Sequence, residues 1–333
     1  MKKVLSLILA LAMVFALVAC GEKQPSNDGN TDGDKPPRGN VIMTFGTADT
    51  GGSMYPAGAA VSQVWTNNVQ GVKCNTQTST GSFQNCQDVS TGEVDVAVAT
   101  SDVVLNAYNG TGKFADIGKL DNLRVIGAVY TSVLSGVALK SSGLTYIHDL
   151  LGKRVAVGPA ASATENATLA AFAAMDITKD NTSLENLGLG DGADSVGDGI
   201  LDAAFGFAGL PIGGQLNLAA TKEIQVLDMT QEEIDKVLAG NAAYIQTKIP
   251  AGTYTGQDND ANTFGVKCLI IVTADMDADL VYDLCKAMNE HTEEMAAGNA
   301  LLKDMTDPSF LCTQMPIPLH DGAQKYYSEQ GLI

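Results

Sequence analysis

Two stretches of the chain carry the same short plan, and this duplication constrains the fold more than any other feature. In the first, VIMTFGTADTGGSMYPAGAA (41–60), an apolar β-prone run breaks into a Gly/Thr/Ser-rich turn and then opens a helix. Val41, Ile42, Met43 and Phe45 form a run too short and too apolar for a surface helix, as expected of a strand buried on both faces of a parallel sheet. Gly46, Gly51 and Gly52 permit a tight turn and close backbone approach. Ser53 is placed to cap a helix that carries Ala57, Ala60, Val61, Val64 and Trp65 inward. The first-turn N–H groups of such a helix attract carbonyl or anionic oxygens.

A Gly-rich corner of this kind often does no more than turn the chain; the second copy gives it weight. RVAVGPAASATENATLAAFAAM (154–175) repeats the plan, with Val155 to Val157 as strand, Gly158-Pro159 as turn, and Ser162 and Thr164 as helix-start hydroxyls. STGEVDVAVATS (90–101) and VGDGILDAAFGFAG (196–209) also pair, each a helix end, a Gly, two residues, an Asp and an apolar strand. Gly46 and Gly158 lie 112 residues apart, Gly92 and Gly199 107. Two similar α/β halves predict two lobes around a cleft, with a ligand held beyond the carboxyl ends of parallel strands. Strands are expected over 41–45, 72–78, 94–99 and 123–129 in one half, and over 154–157, 183–187, 203–207 and 224–227 in the other. Crossing strands are expected over 135–139 and 263–272, and helices from 277 to 297 and beyond should pack back on the first lobe.

The N-terminal segment reads as a targeting signal. Lys2 and Lys3 precede an apolar core over 4–18, shorter than the ~20 residues of a spanning helix, and Leu17-Val18-Ala19-Cys20 closes it as a small-residue cleavage box. Cys20 followed by Gly21 resembles a bacterial lipoprotein signal, in which the cysteine is lipidated; an ordinary secretory signal is the alternative. Residues 21–40 hold no core-forming side chain and read as a flexible tether. The domain is thus expected outside the cytoplasm, lipid-anchored through Cys20.

Composition narrows the partners. Net charge is −18, and removing Lys2 and Lys3 with the leader takes it to −20, which argues against nucleic acid. Beyond Cys20 there are Cys74, Cys86, Cys268, Cys285 and Cys312, with neither CxxC nor metal-type spacing, and either disulfides or buried thiols fit. His148, His291 and His320 are too scattered for a zinc site, no Asp/Glu cluster points to another metal, and no cofactor is implied. A metal bridging a carboxylate ligand stays open. Polar turns after strands supply the candidate contacts: Thr80-Gly81-Ser82 with Asn85, Thr100-Ser101-Asp102, and Phe207 to Pro211.

Taken together, GTADTGGSMYPAG (46–58), TGSFQN (80–85), GEVDVAVATSD (92–102), DLLGKRVAVG (149–158), AGLP (208–211) and IPAGTYTG (249–256) resemble, in that order, the TAXI-type solute receptors of TRAP transporters. The resemblance runs from Val41 to the C-terminus. It implies a two-lobed α/β fold of the type II periplasmic-binding-protein kind with a crossing-strand hinge, one lobe from 41–134 plus 265–333 and the other from 135–264. It also implies a monomeric, non-enzymatic receptor that binds a small carboxylate or amino acid, glutamate-like as first guess, and delivers it to the membrane subunits of a TRAP permease. The contacts carried over are Tyr55, Ser82, Asn85, Ser101 and Asp102 in one lobe and Ser162, Thr164 and Gly209 in the other; the turns themselves add Thr50, Ser53, Thr80 and Phe207 as candidate ligand contacts. The family's paired tyrosines are replaced here by Met54-Tyr55, and Asp49 adds a carboxylate to the loop.

Arg38, Arg124 and Arg154 are the only arginines, one in the tether and two at strand starts, so an Arg clamp on a carboxylate is not expected. Helix N-termini and hydroxyls would hold an acid, and Asp49 or Asp102 an ammonium. A ligand-sensing lipoprotein and an enzyme of similar two-lobed fold are the competing readings; the enzyme has no nucleophile elbow, Cys/His pair or facing carboxylates in its favour.

Overall fold

A computed structural model describes residues 39–50 and 52–333; the signal over 1–20 with Cys20, nearly all of the tether, Arg38 and Gly51 lie outside the described residues. Ten strands form one mixed sheet: β1 (Val41–Gly46), β2 (Val72–Gln77), β3 (Val96–Thr100), β4 (Leu123–Leu139), β5 (Arg154–Ala156), β6 (Ser183–Glu185), β7 (Ala203–Ala208), β8 (Ile224–Val226), β9 (Ile245–Ile249) and β10 (Ala261–Thr273). Their order is β2-β1-β3-β10-β4-β7-β5-β6, with β8 beside β4 and β9 beside β10. At each end the strands pair parallel: β1 with β2 and β3, and β5 with β6 and β7. In the middle the pairing is antiparallel, β10 with β3 and β4 and β4 with β7.

Each parallel end is covered by helices on both faces, which gives four apolar cores. Two of them take Phe45, Trp65, Val98 and Met288 on one face of the β2-β1-β3 end and Cys86, Val89, Ala97 and Phe114 on the other. The other two take Val155, Phe172 and Phe205, and Ala156, Val196 and Ala204, on the faces of the β7-β5-β6 end. Strands β4 and β10 feed all four. On β4 core membership changes between Tyr130 and Val133, and on β10 between Val266 and Cys268. The polar Thr131, Ser132 and Lys267 stand at that change. Here lies one difference from the sequence reading, which gave 123–129 and 135–139 as separate strands. Thr131 and Ser132 resemble a break in the pattern, yet both suit a strand and Ser132 is buried, so the run continues unbroken for 17 residues.

The C-terminal helices return to the first half. The fully buried Trp65 of the Met54–Asn68 helix stacks on Phe45 and donates its indole N–H to Leu284 O at 3.0 Å in the Ala278–Glu290 helix. Tyr327, in the Asp321–Glu329 helix, donates its hydroxyl to Ile126 O of β4 at 2.9 Å. Truncating an aromatic side chain buried like Trp65 costs about 3–5 kcal/mol, a large share of a typical domain's stability. Cys74, Cys86, Cys268, Cys285 and Cys312 are all buried free thiols.

Close approach of β4 and β10 needs a residue without a side chain. A Cβ at Gly265 would overlap the backbone oxygen of Ser132, which cannot swing aside. We therefore expect Gly265→Ala to destabilise the fold by about 1–3 kcal/mol, seen as a lower urea midpoint. Gly240→Ala, in open space at a helix end, should leave the midpoint unchanged or raise it. Equal midpoints for the two variants would contradict the packing described.

Candidate functional site

A cavity of about 380 Å³ opens beyond the carboxyl ends of the parallel strands, between the two ends of the sheet. Ala48, Asp49, Gly52, Ser53 and Met54 line it after β1, and Thr80, Gly81 and Ser82 after β2. From the other side come Pro159, Ser162, Ala163 and Thr164 after β5, Gly188 to Asp191 after β6, and Phe207 and Ala208 at the end of β7. Tyr130, where β4 passes from one half to the other, completes the lining.

Four helices begin in this wall: Met54–Asn68, Ser82–Thr91, Ala163–Ala174 and Leu189–Gly197. Two of them start from glycine, Gly81 and Gly188, so no side chain caps their first-turn N–H groups. No Lys, Arg or His is among the lining residues. Arg154 is instead spent on Asp202 at 2.8 Å, and Arg124 on the carbonyls of Asp121 and Leu123. Neutral donors and the positive ends of helix dipoles thus face the cavity, an arrangement suited to anionic or carbonyl oxygens. Asp49 and Asp191 are the carboxylates of the wall, both exposed.

Local sequence explains how the wall is held. Gly158 adopts φ +97°, and a Cβ there would come within 2.5 Å of Thr164 Cγ2, so the turn folds flat on the helix start. Thr164 Oγ1 accepts the Phe207 N–H at 3.2 Å and ties that helix to β7. Ser162 caps its helix, accepting the Glu165 N–H at 3.1 Å. Ser82 Oγ is fully buried and accepts the Thr100 N–H at 3.0 Å, which fixes the Thr80–Ser82 corner against β3.

Six of the residues expected from the sequence line the cavity: Ser53, Thr80, Ser82, Ser162, Thr164 and Phe207. Six do not. Thr50 is exposed and Tyr55 half-buried, both outside the lining. Asn85 points down rather than in, its amide donating to Thr47 O at 2.6 Å and Val98 O at 2.7 Å. Ser101 and Asp102 are buried one layer behind. Gly209 is occupied by Ser53: its N–H donates to Ser53 Oγ at 3.1 Å, and the hydroxyl reaches back to its carbonyl at 3.4 Å. Ser53 therefore stands at the N-cap position without capping, because its hydroxyl bridges to the opposite wall instead. Asp102, expected to meet an ammonium, faces the second half's Asn166 and Tyr244.

Sequence reasoning missed Tyr130 and Gly188 to Asp191. The second had a signal, since LGLGDG (187–192) is a Gly-rich turn directly after a strand, like the turns that were singled out. Tyr130 had none, because nothing in a continuous strand marks the point where it crosses beneath a cleft.

Three comparisons bear on identity. PhnD1 from Prochlorococcus marinus (MIT 9301), solved with methylphosphonate, is similar over 88% of this chain and 99% of its own at 10% identity, with a TM-score of 0.54. The alkanesulfonate-binding protein SsuA from Xanthomonas axonopodis pv. citri, bound to MOPS, matches over 87% and 84% at 13% identity, with a TM-score of 0.49. The fold is accordingly the two-lobed α/β type II periplasmic-binding-protein fold. Residues 45–331 match the NMT1-like family, and the chain belongs to that family.

Proposed function

We propose that the protein is an extracytoplasmic solute receptor that holds a small acid, an amino acid as first choice, between its lobes. The observation that carries this reading is the convergence of four helix N-termini on a cavity with no basic side chain in its lining. A carboxylate or similar oxyanion would sit on those N–H groups, each helix end contributing about 0.3–1 kcal/mol and up to about 2 where partly buried. Asp191, and Asp49 beside the first loop, would receive an ammonium on the same molecule. A cavity of this size suits a metabolite rather than a polymer. Ser53 and Gly209 would join the rims of the two lobes once the solute is inside.

The motifs of the first loop and of 80–85, 92–102 and 208–211 favour delivery to a TRAP permease, with the protein tethered to the membrane through Cys20. The protein acts by binding, without catalysis; the cavity brings together hydroxyls, backbone N–H groups and two carboxylates, with no activated nucleophile beside a base.

Thermal melting against amino acids, dicarboxylates, keto acids, sulfonates and phosphonates, methylphosphonate included, tests the reading. One class should raise the melting point strongly, by about 2.7 kcal/mol of linkage at a hundredfold excess over Kd. No shift from any class, with the pocket shown empty, would remove the receptor reading. Titration calorimetry on Asp191→Asn then tests the ammonium contact. Amino-acid affinity should fall roughly tenfold, about 1.4 kcal/mol, while the matching keto acid binds as well or better. Equal loss for both would exclude Asp191 as the ammonium partner.

A further inference from the structure

The seam behind the cavity holds a carboxyl group that the solute cannot reach. Asp102 lies on the Ser101–Asn109 helix of the first half and is fully buried. Its Oδ2 accepts from two groups of the second half, Asn166 Nδ2 at 3.2 Å and Tyr244 Oη at 3.4 Å. Oδ1 is also sealed from solvent and makes no hydrogen bond. Along the same seam Lys113 pairs with Glu165 at 2.7 Å. Asn106, Lys113, Ser162 and Asn166 border one small pocket there, so both contacts belong to one interface between the halves.

We propose that Asp102 is a positioning residue for closure: its carboxyl, clasped by Asn166 and Tyr244, holds the two lobes together without touching the solute. The inference rests on the receptor reading only in supposing that the lobes separate. When they do, Asp102 meets water and both partners leave it; when they meet, it loses its hydration for two hydrogen bonds on one oxygen. That exchange disfavours a charge more than a neutral acid. Burial is the largest influence on Asp102 and raises its pKa, and polar neighbours offset this only in part.

The titratable groups that face Asp102 are Cys86 on the Ser82–Thr91 helix, Cys268 on β10 and Tyr244, all kept neutral by burial. The start of its own helix favours the charge, since the Thr100 hydroxyl and the Val103 and Asp102 N–H groups lower its pKa, but burial outweighs them. Glu165 behaves in the opposite way. Burial works against its charge, but Lys113, the Ala161 N–H and the Asn186 amide together hold its pKa low, so this pair persists through neutral pH. Closing therefore takes up a proton at Asp102. The closed form gains as pH falls from the closed-state pKa towards the ordinary carboxyl value, loses over that same span as pH rises, and changes no further above the closed-state pKa.

Small-angle scattering of the ligand-free protein from about pH 5 to about pH 9 tests this, with circular dichroism as the check on folding. The wild type should grow in radius of gyration as pH rises. Asp102→Asn, which keeps the shape and an acceptor but cannot ionise, should lose that dependence and stay compact. Tyr244→Phe should be more open than wild type at every pH. A wild-type radius that does not change with pH, or the same pH response in Asp102→Asn, would overturn the proposal. Because no solute is present, a failure here leaves the receptor reading standing, and failure of every solute to bind would leave this clasp standing.

Discussion

Strands β4 and β10 pair antiparallel from Gly265 opposite Val133 to Thr273 opposite Leu123, and all four apolar cores take side chains from both. This one pairing makes two α/β halves into a single sheet. It also sets the distance between them, because Gly265 lets β10 approach Ser132 more closely than any side chain would permit. Two shifts of register, at Cys268/Leu269 and Ile270/Ile271, bend the pair beside the first half. At the midpoint the apolar alternation gives way to Thr131, Ser132 and Lys267. Lys267 is anchored by donating to Phe310 O at 3.0 Å and Thr313 O at 2.9 Å, with its ammonium over the Phe310 ring. Packing thus ends for one half and begins for the other across a few polar residues, which is where a hinge costs least.

Once the halves are set this way, the cavity follows. Parallel strands aim their carboxyl ends at a common gap, and the turn after each strand delivers a helix start to its wall. Charge is placed economically. The chain carries a large acidic excess, yet the site would hold an acid without a single basic side chain, because fixed dipoles need no counter-ion brought in from the surface. The same choice keeps Arg154 and Arg124 available for strand starts, where each satisfies carboxylate or carbonyl oxygens.

How much of this the sequence disclosed depended on range. Strand, turn and helix start are local, so the corners at 46–54, 80–82 and 158–164 were legible from apolar runs, glycines and hydroxyls. The direction of a side chain one turn into a helix was not. Asn85 and Asp102 sit on the anticipated helices but turn away from the cavity, Asn85 to the carbonyls of Thr47 and Val98, Asp102 to the opposite half. The Ser53–Gly209 bridge joins residues 156 positions apart, and the Tyr244–Asp102 contact spans 142; no spacing rule reaches so far. β9, a short and mostly exposed run, lacked the apolar pattern that marked its neighbours.

The central claim is that backbone N–H groups at helix starts, rather than basic side chains, receive the acid group of a solute. Amide chemical shifts followed by NMR during titration with the solute report those groups directly. The account predicts the largest shifts at the starts of the four helices, around Ser82, Ala163, Gly190 and Met54, in the direction of stronger hydrogen bonding. Saturable binding that leaves these amides unmoved and instead perturbs a cluster of lysines or arginines elsewhere would contradict it.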